Sequence, residues 1–453
     1  MDELTTRLDA LCAEYGVPGA SLAVWSHGAL REAAAGVVNL NTNVPATSDT
    51  LFQIGSITKL FVAAMCMQLV DEGKLALDEP VRRWLPDFRL ADEGVAAQLT
   101  LRQLLSHQSG MEGDYFEDAG RGEDRIAKFV GMLGACGQVS PANVMFSYCN
   151  TGFVIAGRLI EVAGGVPWDK AIRQRMAKPL GASSFSTLPE QAMRHLTAIG
   201  HLGAPGKLVV TPIAYLAQSN APAGSMPMAK ARDIVTFGRM LMAGGVAPDG
   251  TRIVSEAGIK AMHTSNVVCP KGLHIDEVGL ATFMWDWDGD GAMDVFGHDG
   301  STIGQAAWLR YHPKSGTVFV LLTNGGNGKG MAQDLMREIF SEAAGIQPSE
   351  APQGDASRKV DAAPYLGAYA NVMETVEVSE EGGRLVVTIT PSPAAAVISG
   401  TRRVELSPVD DMLFTGVTPG YTESATYHFL ERDNAGRAQY LHSGVRAHRR
   451  VTQ

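Results

Sequence analysis

Ser56 and Lys59, in Gly55-Ser56-Ile57-Thr58-Lys59, stand three residues apart at the head of an apolar run from Leu60 to Val70 that stops at Asp71-Glu72-Gly73. Positions three apart share one face of a helix, so the spacing predicts that the Lys59 amine reaches the Ser56 hydroxyl. A serine hydroxyl attacks an acyl carbon when a neighbouring base takes its proton, and a lysine is such a base once desolvation or nearby positive charge lowers its pKa. The helix predicted from near Ser56 to Gly73 is apolar on most faces, which marks it as buried and supplies the desolvation. Ser-x-x-Lys occurs once in the chain. Taken alone it also fits a helix-capping serine beside an exposed lysine, so its meaning depends on what else the chain carries.

Two further stretches offer polar groups at element ends. Phe146-Ser147-Tyr148-Cys149-Asn150-Thr151-Gly152 leads into the helical run Phe153–Val162, with Tyr148 and Asn150 at its mouth. A Tyr/Asn pair capping a helix gives the same pattern, and Tyr369-Ala370-Asn371 repeats it. His298 lies in Gly297-His298-Asp299-Gly300-Ser301, at the entrance to a predicted hairpin of strands 305–311 and 317–324. His-x-Gly recurs at His201 and His442, so His298 is singled out by its place before a strand. His107, in a helix-terminating turn, reads as a structural hydrogen-bonding residue. Asp286-Trp287-Asp288-Gly289-Asp290-Gly291 opens like a calcium loop, yet its twelfth position is Gly297 where a bidentate glutamate is required, so a hairpin turn and no metal are expected. The loop 325–330 lacks the spacing and the Ser/Thr of a phosphate loop and reads as a strand-to-helix turn.

The elements that position these groups follow from composition and periodicity. With 453 residues, 45% hydrophobic and 19% charged, the chain can build a large core in more than one domain. A net charge of −10, with no long Lys/Arg cluster, argues against nucleic acid or an anionic membrane as partner. The acidic start Met1-Asp2-Glu3-Leu4, the absence of a bilayer-length apolar stretch, and five scattered cysteines without Cys-x-x-Cys pairs predict a cytoplasmic protein with neither disulfides nor zinc. Helices are expected over 3–16, from Thr100 to Gly110, and over 229–242, 255–263 and 332–344, with strands over 20–25 and 30–38. Residues 1–345 form one predicted domain and 346–363, rich in Pro, Ser and Ala, a linker. Short alternating strands over 364–453 predict a small antiparallel barrel or sandwich.

In this order, Ser56-x-x-Lys59, Tyr148-x-Asn150 and His298-x-Gly300 resemble the three active-site motifs of the serine β-lactamase and penicillin-binding-protein superfamily, across roughly residues 8–345. Leu104–Gly110 and Leu77-Asp78-Glu79-Pro80 look like further signatures, and the pattern most resembles the class C β-lactamase-like branch of esterases, D-amino-acid-specific peptidases, amidohydrolases and peptide cyclases. The resemblance implies an α+β fold: an antiparallel sheet flanked by helices, a helical subdomain carrying the tyrosine loop, and a C-terminal β domain similar to lipocalin-like appendages of D-aminopeptidases and penicillin-binding-protein-type thioesterases. It implies Ser56 as the acylated nucleophile, Lys59 as base or relay, and Tyr148 as the shuttle that protonates the leaving group. Asn150 would orient the lysine and a substrate amide, backbone N–H groups of Ser56 and Ser301 would bind the oxyanion, and no cofactor is required.

Where β-lactamases carry Lys-Thr-Gly, this chain has His298-Asp299-Gly300, as in the esterase and D-aminopeptidase members, so efficient penicillin hydrolysis is not expected. The implied activity is cleavage of ester or amide bonds in small or peptide-like molecules. Its alternatives are a thioesterase or cyclase of nonribosomal peptides, a weak β-lactamase, and a non-catalytic acyl-binding sensor. Oligomeric state is not indicated. One expectation comes from the C-terminal residues themselves: Ser443–Arg450 is basic, which fits a solvated strand edge, or an Arg446 that points over the cleft and binds a substrate carboxylate.

Overall fold

The computed structural model describes residues 3–204, 206–397, 399–419 and 424–451. A nine-stranded antiparallel sheet runs in the order Val44–Pro45, Ala29–Asn39, Gly19–Ser26, Thr317–Thr323, Ala306–His312, Val295–Ser301, Phe283–Trp285, Glu277–Val278, Val267–Val268. Its centre shows why the apolar runs are strands. Thr317–Thr323 is buried at every position, and its side chains alternate between two cores, as a pleat buried on both faces requires. Phe319 and Leu321 join Leu8, Leu11, Leu335, Ile339 and Phe340 beneath the helices Glu3–Glu14 and Gly328–Ala344. Val318, Val320 and Leu322 join Phe61, Phe237 and Met240 beneath Thr58–Asp71 and Ala231–Met242.

The helix Thr58–Asp71 buries every residue except Gln68, Val70 and Asp71. Phe61 stacks on Phe237 with ring centroids 3.7 Å apart. A 3₁₀ turn over Gly55–Ile57 leads into it, so Ser56 stands on the tight turn just before the α-helix, and Gly73 at φ +68 ends the segment. The helix expected from Thr100 to Gly110 is shorter. It covers Leu101–Leu105 behind a Thr100–Gln103 capping box, and His107 at φ +59 turns the chain away.

The C-terminal residues form a second nine-stranded antiparallel sheet, in the order Arg402–Glu405, Arg384–Pro391, Glu374–Glu381, Gly367–Ala370, Arg446–Arg450, Ala438–Ser443, Ser424–Arg432, Leu413–Val417, Ser407–Pro408. Its two outermost strands are separated in sequence by Leu406 alone, so one continuous segment brings the sheet's edges together into a barrel-like form. Tyr369, Tyr427, Phe414 and Phe429 fill its core. The barrel meets the first unit through the hairpin made by Ala438–Ser443 and Arg446–Arg450. Tyr148 N–H donates to Val445 O at 2.8 Å, His442 Nε2 donates to Phe146 O at 3.1 Å, and Ala447 N–H donates to Ser147 Oγ at 3.2 Å. All five cysteines are buried and free. Among the described residues no helix is long and apolar enough to cross a membrane.

Candidate active site

The turn carrying Ser56 is pressed against the end of the strand Val295–Ser301, and two glycines permit the contact. A Cβ on Gly300 would stand 2.0 Å from Ile54 O and 3.0 Å from Ser56 N, and one on Gly55, which has φ +50, would stand 2.5 Å from Ser301 N. The backbone nitrogens of Ser56 and Ser301 are thereby brought to neighbouring positions, as two N–H groups serving one oxyanion must be.

Lys59 is fully buried. Its Nζ lies 2.9 Å from Ser56 Oγ, 2.6 Å from Asn150 Oδ1 and 2.5 Å from Ala223 O. Desolvation holds the amine's pKa well below its ordinary 10.5; Asp114 pulls it back up, and Arg446 lowers it further. Asn150 begins the helix Asn150–Gly164, which Cys149 caps by accepting from Gly152 N–H at 3.3 Å. Asn150 Nδ2 donates to Asp114 Oδ1 at 2.6 Å. Because a carboxylate only accepts, this contact fixes which end of the Asn150 amide faces Lys59.

The Tyr148 ring lies 4.8 Å from Lys59 Nζ. Its hydroxyl is buried and faces Ser56 without a hydrogen bond of normal geometry, and desolvation raises its pKa far above the ordinary value, so it keeps its proton. His107 stacks on the same ring at 4.3 Å and accepts from Cys149 N–H through Nδ1 at 2.9 Å, which leaves the proton on Nε2. His298 stacks on Phe283 at 4.0 Å. Its Nδ1 donates to Asp299 O, so Nε2 is the unprotonated nitrogen, and burial holds the ring neutral. The Asp299 carboxylate accepts from Arg310 at 2.6 Å.

The structure thus gathers Ser56, Lys59, Tyr148, Asn150, His298, Gly300 and Ser301. Arg446 joins them from the barrel: its guanidinium carbon lies 5.3 Å from the Tyr148 ring centroid. Its Nε and Nη2 both donate to Asp114, the latter at 3.0 Å. Asp114, with 3% of its side chain exposed, is a site residue that sequence reasoning missed. Nothing distinguishes it locally from Glu112, Glu117 or Asp118 in the same polar stretch. Ala223 O was missed too, since a backbone carbonyl leaves no trace in a sequence.

Away from this site, residues 286–294 connect the paired strands Phe283–Trp285 and Val295–Ser301. The Asp286, Asp288 and Asp290 carboxylates gather within 4.8 Å of one another. Asp286 accepts from Gly289 and Gly291 N–H, and Asp290 from Ala292 N–H, as in a hydrogen-bonded turn.

An antiparallel sheet clasped between helices, with a serine and a lysine at the head of the buried helix beside it, defines the β-lactamase-like class of serine hydrolases. The chain belongs to the Beta-lactamase family, whose profile matches residues 2–344. It is 42% identical over 369 residues to Penicillin-binding protein 4 of Amycolatopsis lactamdurans, covering 80% of this chain and 96% of that protein. The crystal structure of SurE superposes with a TM-score of 0.79 at 29% identity over 99% of this chain and 98% of SurE. SurE has also been solved with D-Leu, where the TM-score is 0.75 at 28% identity, over 98% of each chain. The D-amino acid amidase of Ochrobactrum anthropi SV3 gives a TM-score of 0.63 at 25% identity over 75% of this chain and 98% of the amidase.

Proposed function

We propose that the protein is a serine hydrolase or acyl transferase that forms an acyl-enzyme on Ser56 from ester or amide bonds of peptide-like small molecules. The observation that carries this reading is the donor count at Lys59. A neutral amine has two N–H donors and one lone pair. Once desolvation has made the amine neutral, its two N–H groups go to Asn150 Oδ1 and Ala223 O, which can only accept, and its lone pair is left for the Ser56 hydroxyl 2.9 Å away. Lys59 takes the Ser56 proton as Oγ bonds to the acyl carbon, and the oxygen that becomes negative is held by the N–H groups of Ser56 and Ser301. Tyr148, which holds its proton, hands it to the departing amine or alkoxide and is reprotonated from Lys59. Water or an amine then attacks the ester on Ser56 by the reverse proton path.

D-configured residues next to the scissile bond are favoured by the likeness to a D-amino acid amidase and to a structure solved with D-Leu. A neutral His298 and an Asp299 paired with Arg310 replace the Lys-Thr-Gly lysine with which β-lactamases bind the drug's carboxylate, so this motif supports weak β-lactamase activity at most. Arg446 offers its remaining nitrogen, Nη1, to a substrate carboxylate, and Arg446→Ala then raises KM for free-acid substrates more than for neutral esters.

The test is a fluorophosphonate probe with intact-mass detection beside turnover of a chromogenic ester. One adduct is expected, absent in Ser56→Ala; equal labelling and turnover by that variant would overturn the assignment. A non-catalytic sensor would hold a stoichiometric adduct without repeated turnover. A second reading, a thioesterase or cyclase, is favoured by the barrel hairpin that meets the tyrosine loop at the site. A peptidyl thioester distinguishes the two by giving cyclic or linear product.

A further inference from the structure

The hydrogen bonds around Lys59 do not end at Asn150. Asn150 Nδ2 reaches Asp114 Oδ1 at 2.6 Å, and the same oxygen accepts from Arg446 Nη2 at 3.0 Å while Asp114 Oδ2 accepts from Arg446 Nε. Ser56, Lys59, Asn150, Asp114 and Arg446 therefore form one unbroken chain from the nucleophile to the barrel. Every acceptor oxygen of the Asp114 side chain is occupied by a donor that has no acceptor role of its own. The cavity beside the pair, bordered by Glu112, Asp114, Tyr148, Asn371 and Arg446, measures about 10 Å³, room for one water at most. A carboxylate buried this deeply is costly unless every partner is in place, so its retention here calls for a role.

We propose that Asp114 is a positioning residue, held by Arg446 of the barrel, whose carboxylate locks the Asn150 amide so that the Lys59 lone pair stays directed at Ser56. This inference rests on the acyl-serine reading above. Without Asp114 the Asn150 amide is free to turn over, and a rotated amide would offer N–H to a lysine nitrogen that has only its lone pair left to accept. That lone pair would then be diverted from Ser56. The charged and titratable groups that face Lys59 are Asp114, Arg446, Cys149, Tyr148, His107 and His298. Of these, Asp114 raises and Arg446 lowers the lysine's affinity for a proton.

The experiment measures kcat, KM and the pH profile of a small neutral ester for Asp114→Ala, Asp114→Asn, Arg446→Ala and Ser56→Ala, with thermal melts on each. Asp114→Ala is expected to lower kcat by about 100-fold, the scale of a misplaced catalytic group, with KM little changed. Asp114→Asn can keep its oxygen toward Asn150 while losing the Arg446 Nε bond, so it should retain more of kcat. Catalysis requires neutral Lys59, so the acid limb of kcat/KM follows the lysine. It should move to lower pH in both Asp114 variants and to higher pH in Arg446→Ala. A purely structural role would not shift the limb in opposite directions. A folded Asp114→Ala enzyme with parental kcat and an unmoved acid limb overturns the proposal. If that variant does not fold, an unmoved limb in Asp114→Asn does so. Activity surviving in Ser56→Ala would instead overturn the acyl-serine reading itself.

Discussion

Gly300→Ala asks whether the contact between the strand end and the nucleophile turn is what builds the oxyanion site. The new Cβ would stand 2.0 Å from Ile54 O, where ordinary contact begins at 3.4 Å, and 3.0 Å from Ser56 N. The strand is registered against Ala306–His312, with Gly300 opposite Ala307 and Ser301 opposite Ala306, so it has little freedom to slide. Relief must come from the strand end and the Ser56 turn separating by about 1 Å or more, since packed interiors yield only locally. Displacement on that scale costs on the order of 100-fold in rate. Outright loss of one backbone donor costs about 3 to 4 kcal/mol. Gly300→Ala is therefore expected to lower kcat on a 4-nitrophenyl ester by about 100- to 1000-fold. Ser301→Ala, which keeps its N–H, should turn over near the parental rate. Burst amplitude counts the competent sites, and a melt reports the cost of overpacking, about 1 to 3 kcal/mol. A Gly300→Ala enzyme that acylates at the parental rate with a full burst would refute the assignment of these N–H groups.

Lys59→Met should abolish turnover, and because it removes a desolvated amine while leaving Asn150 Oδ1 and Ala223 O without a donor, its effect on the melting temperature should depend on pH. The buried amine's pKa is depressed, so below pH 10.5 the unfolded chain binds more protons than the folded one, and the stability lost to Lys59 grows as pH falls toward its folded pKa. The variant's Tm relative to the parent should accordingly be higher at pH 7 than at pH 10, and the same difference at both would contradict a depressed pKa. Tyr148→Phe should slow amide cleavage by about 10²- to 10⁴-fold, the range for a positioned proton donor. It should slow a 4-nitrophenyl ester far less, because nitrophenolate departs without a proton. His442→Ala leaves the Phe146 carbonyl without its donor and should destabilise the protein by about 1 to 3 kcal/mol, read by chemical denaturation, with faster hydrogen exchange at the Tyr148 amide.

Much of the first unit was legible because its elements carry strong periodic signals. Ala20–Trp25 and Thr317–Asn324 announce strands by apolar continuity, and Leu60–Val70 announces a buried helix. The spacing of Ser56 and Lys59 was enough to place one side chain on the other, as the 2.9 Å contact shows. The barrel was legible only in part. Gly367–Ala370 is made of small residues around Tyr369, and Leu413–Val417 contains a glycine, so neither shows the alternation that marked Leu385–Ile389. Asp114 was illegible for a different reason. Its meaning comes from Arg446, 332 residues away, and no local pattern encodes a partner at that distance.

That distance also sets a clock. Asp114 leaves the ribosome long before Arg446 is made, by roughly 20 to 70 s at ordinary rates of chain elongation. Late in that interval the helix Ala231–Met242 and the strand Thr317–Thr323 can already bury the helix that carries Lys59, but the tyrosine loop has no Val445 carbonyl to hold it and Asp114 has no guanidinium. A nascent chain in this state carries Ser56 and Lys59 without the hairpin that shapes their surroundings. The link from Ser56 through Lys59, Asn150 and Asp114 to Arg446 can therefore close only after the barrel hairpin has been made and has docked.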